Sequence, residues 1–398
     1  MSYSLQAIYA NATWAMATHS QALGRLQDQA STGQEINRMS DNPTYASRIL
    51  DLKADTRSKQ QFLDTIDDAV GVLELSSSVL QSISDEIIRA RASLTSVMSG
   101  IASEAGRNTL ATDINNALEQ IVSLANSQRL GHSLFAGANT EAVPYAVERN
   151  SAGEITRVIY QGSDEERKVD VAPGVQMSSV LNGDSLFKPT GTREYGFFGS
   201  TGAAMGSGTS SVRGDVMLTV TGVPGAYTLS IDGGTTTVTM TGSSPPDDNL
   251  PVIHSQTGEV IYIDATQITA TGTEPIRVEG TYDIFNIFIN VRDVLRNNND
   301  LPDAVMKEMM TAALDSLAAV DEKLVQGFPI IGGRIGTLTS LRESLDDTKV
   351  GGDEEIARLQ DADITRVAVD LARREMLYEM SLSVAAKMFS LSFVDFLT

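Results

Sequence analysis

Along the first thirty residues, apolar and small side chains recur at alternating steps of three and four: Leu5, Ile8, Ala12, Ala15, His19, Ala22 and Leu26. That is the period of a coiled-coil seam, so the spacing predicts a helix whose narrow, Ala-rich stripe lets another helix backbone approach closely. The pattern breaks at Ser31-Thr32-Gly33 and again at Ser40-Asp41-Asn42-Pro43. There, Ser40 or Asp41 is expected to cap a helix that Pro43 opens from its first turn. A second seam then runs from Ile49 through Leu52, Leu63, Ile66, Leu73, Leu80, Ile87 and Leu94 to Ile101. At 1.5 Å per residue it predicts a rod of roughly 80 Å, the mark of an elongated molecule. After Gly100 and Gly106, Leu110, Ile114, Ala117, Ile121 and Leu124 share one face of a third helix, expected to return as an antiparallel hairpin.

From Tyr145 the period changes to two. Tyr145 and Val147, the turn Asn150-Ser151-Ala152-Gly153, and Ile155 to Tyr160 read as a β-hairpin. Tyr227 to Ile231, Asp232-Gly233-Gly234 and Thr235 to Met240 read as another, with further strands at Val216–Val220 and Val260–Ile263. Helical periodicity resumes at Ile284 and after Pro302, and a last helix is expected from about Asp353 to the end. It carries Ile364, Ala368, Leu371, Glu375, Tyr378, Leu382, Ala385, Phe389, Ser392 and Phe396 at the same three-four spacing. The predicted fold is mainly α with a β insertion (α+β): a long antiparallel helical bundle or coiled coil built from both termini, with an inserted β-rich outer domain. The expected division is 1–40 with 355–398 as terminal coiled-coil segments, 41–190 with 280–354 as a long-helix bundle bearing hairpins, and 191–279 as the insertion.

Charge narrows the function. With 30 Lys and Arg against 51 Asp and Glu, the formal charge of the 398-residue chain is −21. That argues against nucleic acid and against an anionic membrane surface, both of which call for clustered cations, and no segment resembles a membrane span. Residues 2–24 nevertheless contain no charged side chain, so the outer face of that helix is expected to be covered by protein. No cleavable secretion signal is expected here, because no basic residue leads into an uninterrupted apolar run.

Catalytic chemistry finds little footing. Cysteine is absent, which excludes disulfides and thiolate metal sites. His19, His132 and His254 stand far apart without metal-ligand spacing. Gly332-Gly333-Arg334-Ile335-Gly336 lacks the Lys-Ser/Thr of a phosphate loop, and a turn between helices with a glycine C-cap is expected there. Asp164-Glu165-Glu166 and Asp353-Glu354-Glu355 lack the alternating ligands of a calcium loop, and the second run suits a helix start. No catalytic, cofactor-binding or metal residue is assigned, and the chain is expected not to be an enzyme.

The residues Gln29 to Pro43 (QASTGQEINRMSDNP), the segment Gly131 to Asn139 (GHSLFAGAN) and the final helix from Asp361 to Leu397 resemble the bacterial flagellin family. Ser31, Thr32, Gly33, Ser40, Asp41, Asn42 and Pro43 match its N-terminal signature, Asn42 standing where a second Asp is usual. The resemblance covers about the first 185 and last 115 residues and leaves the β insertion unplaced. Pro43, where filament subunits more often carry Ala, and the modest insertion align the chain with the branch that joins hook to filament.

The resemblance implies a secreted, extracellular structural subunit of the flagellum that forms a ring of like copies at the hook-filament junction. Its neighbours would be a hook-side hook-associated protein and flagellin, and it would reach them through the flagellar type III export apparatus with an export chaperone. The packing residues would be Leu5, Ile8, Ala12, Ala15, Ala22, Leu26, Leu371, Tyr378, Leu382, Ala385, Phe389 and Phe396, lining an inner tube. The alternative is flagellin itself; a remoter one is a secreted enzyme or adhesin carried in the insertion.

Overall fold

The computed structural model describes residues 2–99, 103–188, 195–240, 247–278 and 282–397, with the side chains of 2–9, 12, 99 and 388–397 outside the description. Its helices are α1 (Ser2–Thr32), α2 (Pro43–Ser99), α3 (Glu104–Ala125), α4 (Gly183–Phe187), α5 (Ile284–Arg296), α6 (Asp303–Gln360) and α7 (Ile364–Leu397). Between α3 and α5 lie β1 (Gln128–Arg129), β2 (His132–Ser133), β3 (Tyr145–Arg149), β4 (Ile155–Tyr160), β5 (Lys168–Ala172), β6 (Val175–Ser178) and β7 (Tyr195–Phe197). They are followed by β8 (Ala204–Met205), β9 (Gly214–Val223), β10 (Ala226–Ser230), β11 (Val238–Thr239), β12 (Leu250–Ile253), β13 (Val260–Asp264) and β14 (Gly272–Val278). The mainly helical fold with a β-rich insertion is thus present. The chain forms two compact units, one of residues 1–64 with 340–398 and one of residues 65–339.

Helix α2 follows its seam closely: Ile49, Leu52, Leu63, Ile66, Leu73, Leu80, Ile87 and Leu94 are all buried or half-buried. Its start differs from expectation. Asn42 is the cap, accepting the backbone N–H of Tyr45 at 3.2 Å with its side chain and that of Ala46 at 2.9 Å with its carbonyl. Ser40 is exposed, and Asp41 is occupied in the turn before the helix. Gly106 lies inside the first turn of α3, capped by Ser103, rather than ahead of it; Gly100 and Ile101 fall outside the described residues.

The largest departure is α6. It runs unbroken through Pro329 and through Gly332 to Gly336, where a turn was expected, and Asp353-Glu354-Glu355 sit near its end rather than at a helix start. A mid-helix proline costs about 3 kcal/mol and each exposed glycine about 1. Against this, Leu317, Val320, Leu324, Ile331 and Leu338 stay buried in one three-four phase across the segment, and each contributes about 1.5–3 kcal/mol. The seam therefore outweighs local propensity. Acid near a helix C-terminus opposes the dipole, and Arg48 of α2 offsets it by bonding Glu355 through Nε at 3.0 Å. Helix α7 begins only after Asp361-Ala362-Asp363, with the Asp363 carboxylate accepting the N–H of Arg366 at 3.2 Å.

In the unit of residues 65–339, α3 packs on α5. Arg292 of α5, buried, donates to Asn115 at 3.0 Å and to the carbonyl of Ile155 at 2.8 Å, tying α5 to α3 and β4. Arg296 grips Glu154 at 2.7 Å and, by that hydrogen bond, holds its carboxyl down at about 2. Phe135, Tyr145, Phe187 and Phe285 form a chain of edge and tilted ring contacts.

The hairpin of β3 with β4 appears as read; β10 pairs with β11, but the second strand is confined to Val238–Thr239 rather than Thr235 to Met240. The insertion holds a five-stranded sheet of order β11-β10-β9-β14-β7 and a three-stranded sheet β12-β13-β8. Leu218, Val220 and Leu229 from the first share one core with Val252, Ile261 and Ile263 from the second. At its root, Arg277 of β14 donates to Ser316 of α6 at 2.6 Å, lies 3.7 Å from Asp215 of β9, and stacks 4.2 Å from the Tyr282 ring centre.

Candidate assembly interface

Helices α1 and α7 run antiparallel and pack along most of their described length. On α1 the half-buried positions are Ala15, Met16, His19, Ala22, Leu23, Gly24 and Leu26, with Gln29 buried at the end. On α7 they are Asp370, Leu371, Arg374, Leu377, Tyr378 and Ser381, with Val367 and Ala385 buried. The predicted Ala15, Ala22, Leu26, Leu371, Tyr378 and Ala385 therefore lie on the seam between the two helices. Leu382 and Ile364 do not: they are 44% and 50% exposed. The α7 seam runs through Val367, Arg374 and Ser381 instead, because the polar members are long or small enough to fit beside the Ala-rich stripe. Leu5, Ile8, Ala12, Phe389 and Phe396 carry side chains outside the described residues. Inside the seam, Arg374 reaches Nδ1 of His19 at 3.5 Å.

The signature residues build the crossover that enters this pair. Gly33 ends α1 at φ +73°, a left-handed conformation that glycine adopts at no steric cost. Thr32 accepts the side-chain amide of Asn37 at 2.8 Å, and Ser31 and Thr32 bond back to the carbonyl of Asp28. Asp41 accepts the backbone N–H groups of Asn37 and Arg38 at 3.2 and 3.0 Å, closing the loop that Asn42 and Pro43 turn into α2. A second crossover, between α6 and α7, pairs with the first: Glu35 N–H donates to the Gln360 carbonyl at 2.6 Å and Ala362 N–H to the Gly33 carbonyl at 2.9 Å. Gln29 and Gln360, both buried, seal it. Gln29 donates to the Glu35 carbonyl at 2.9 Å, and Gln360 donates to the Gln34 side chain at 2.8 Å. These glutamines were not singled out in the sequence. Their position was the available signal: Gln29 lies one turn before the end of α1, and Gln360 is the last residue of α6.

Elsewhere the polar clusters serve packing. Glu166 pairs with Arg334 at 2.8 Å, and His132 and His254 remain apart, in β2 and beside β12. A cleft of about 830 Å³ between β4, α5 and the β9–β13 side of the insertion is lined by Arg157, Lys188, Arg213, Asp283 and His254. There Lys188 pairs with Asp184, and Asp283 is committed as the cap of α5, accepting Asn286 N–H at 2.8 Å. Burial pushes the Asp283 carboxyl up to about 6. Among the described residues no group of three His, Asp or Glu suits a metal ion, and no helix is long and apolar enough to cross a membrane.

The sequence bears out the family resemblance. Residues 4–140 match the model described as the bacterial flagellin N-terminal helical region. The chain is 27% identical over 170 residues to flagellar hook-associated protein 3 of Salmonella typhimurium, covering 42% of this chain and 54% of that one. It is 29% identical over 161 residues to flagellar hook-associated protein 3 of Escherichia coli, covering 40% and 48%. The chain thus matches about half the length of these curated relatives. Its fold is similar to that of hook-associated protein 3 from Legionella pneumophila, with a TM-score of 0.51 at 17% identity over 77% of this chain and 98% of that one. Residues 4–140 thus match a bacterial flagellin N-terminal helical region, and over about two fifths of its length the chain is similar in sequence to flagellar hook-associated protein 3.

Proposed function

We propose that this chain is a structural subunit of the bacterial flagellum that joins hook to filament, acting by helical packing and not by catalysis. The observation that carries the reading is the α1–α7 pair, locked at its base by paired crossovers and leaving large apolar side chains uncovered on its outer faces. A folded chain gains nothing from exposing them unless neighbours cover them. The similarity to flagellar hook-associated protein 3 supports the junction as its place. In this reading residues 1–40 and 355–398 are the inner-tube segments, 41–190 with 280–354 the shaft and 191–279 the outer domain. Copies form a ring between a hook-side hook-associated protein and flagellin, after passage through the export apparatus with a chaperone, to an extracellular position.

Deleting the gene tests it: electron micrographs should show hooks without filaments, and complete flagella would reject the assignment. Deleting residues 1–30 or 365–398 should reproduce the defect. A second reading, filament subunit, draws on the same flagellin-type region at 4–140. Seeded growth of long filaments from the purified chain would favour it.

A further inference from the structure

Where the insertion meets the helices, one buried arginine has more hydrogens than partners. Arg277 of β14, only 2% exposed, donates from Nη2 to Ser316 of α6. Its Nε is buried too and meets no hydrogen-bond partner among the described residues, and the same holds for the side-chain nitrogen of Asn290 on α5. Buried N–H groups are almost always satisfied, so two exceptions in one place call for an explanation. Asp215 of β9 stands beside them. Its Oδ1 accepts the Tyr282 hydroxyl, while its Oδ2 lies 3.7 Å from Arg277 Nη1, beyond a direct hydrogen bond, and keeps lone pairs to offer.

Arg277, Asn290 and Asp215 all line one cavity of about 10 Å³, and the rest of its wall is apolar, with Val291, Met309 and Ala313 in it. That is about the room one water molecule takes. The wall also selects the occupant. Two N–H groups call for an acceptor, and the Asp215 carboxylate calls for a donor. A chloride ion would meet the carboxylate, and a metal cation would meet the guanidinium. Water suits all three groups: its oxygen accepts from Arg277 Nε and Asn290 Nδ2, and one of its hydrogens goes to Asp215. Three bonds are the usual complement of a buried water.

We propose that one ordered water molecule is bound at this point, bridging β9, β14 and α5 at the root of the insertion. Asp215 and Asn290 also line the larger cleft beside β4, which gives the water its route of exchange. The site stands whether or not the assembly reading above does. In crystals of the full chain that diffract far enough to show solvent, a water peak should lie within about 3.2 Å of Arg277 Nε and Asn290 Nδ2. A dry cavity, or either nitrogen bonded to protein instead, would overturn the site. So would an anomalous bromide signal there from crystals grown in sodium bromide, which would make it an anion site. Solution NMR gives a second reading on the unaltered chain. With arginine labelled at nitrogen, the Arg277 Nε–H, recognised by its nearness to the Tyr282 ring, should show cross-relaxation with water of the sign given by a molecule that tumbles with the protein. Lack of that signal would also overturn the site. Asn290→Leu, similar in shape but without a donor, should abolish both readouts, and a water held unchanged in that variant would show that Asn290 does not bind it.

Discussion

Two adjacent glycines in α6 should respond oppositely to the same substitution. A Cβ built on Gly352 would stand 2.8 Å from Cγ2 of Thr56 on α2, whereas nothing lies within 4 Å of one built on Gly351. Thr56 is buried, and its hydroxyl bonds back to the Lys53 carbonyl at 3.3 Å, so the methyl has little room to yield. Gly→Ala in an exposed helix interior gains about 1 kcal/mol, and overpacking costs about 1–3. Gly351→Ala should therefore stabilise by about 1 kcal/mol, while Gly352→Ala nets a loss of about 0–2. Removing the obstructing methyl with Thr56→Ser should return most of that loss in the double variant, giving a coupling of at least about 1 kcal/mol. Because a chain of two units need not unfold in one step, the suitable assay is native-state hydrogen exchange across residues 345–359, with urea titration followed by circular dichroism as a check. Equal shifts for the two glycine variants, or the absence of rescue by Thr56→Ser, would show that α2 and α6 do not meet as closely there as the structure has them.

Other consequences are open to measurement. Leu371→Ala should weaken the α1–α7 pair by about 1–2 kcal/mol and speed exchange in both helices, whereas Leu382→Ala should cost under about 0.5; the reverse order would mean the seam lies in the other phase. Gln360→Ala should deprotect the amides of residues 33–36 by about 1 kcal/mol, since it removes the donor to the half-buried Gln34 side-chain oxygen, and unchanged exchange would deny the turn its lock. The Asp283 carboxyl, raised to about 6 by burial, gives stability that is fully present below its ordinary value of 3.8 and is lost as pH rises through 6. Asp283→Asn keeps a good helix cap. It should raise stability at pH 7 by up to about 3 kcal/mol and flatten the pH dependence between 4 and 6, as followed by thermal melts; a variant less stable at pH 7 would count against the buried charge.

Much of the helical architecture was legible because three-four spacing is a tertiary signal: a side chain repeats on one face only if something lies along that face. Hence the α2 seam and the Ala-rich face of α1 could be read directly, as could both hairpins, whose Asn-Ser-Ala-Gly and Asp-Gly-Gly turns announce themselves. What failed were inferences from local chemistry. Gly332, Gly333, Gly336 and Pro329 look like a break, yet the buried residues on either side are in phase, and that phase was the better guide. The acids at 353–355 suit a helix start, but Ile356 and Leu359 still belong to the preceding seam, packed with Ile36, Ala46 and Ile49. For the interface, the sequence located the helices and half of the contact residues. The register of α7 was ambiguous, since Leu371 and Tyr378 are compatible with Leu382 or with Ser381 as the next step. Only the partner helix decides between them.

The two crossovers meet as a miniature antiparallel ribbon, Gln34 opposite Asp361, so the ends of the polypeptide, more than three hundred residues apart along the chain, share a single mechanical anchor. A pull along either terminal helix is shared with the other through that ribbon before it reaches α2 or α6. The load is spread over two strands and two buried amide side chains. Such an arrangement lets both ends yield together under load and return in register.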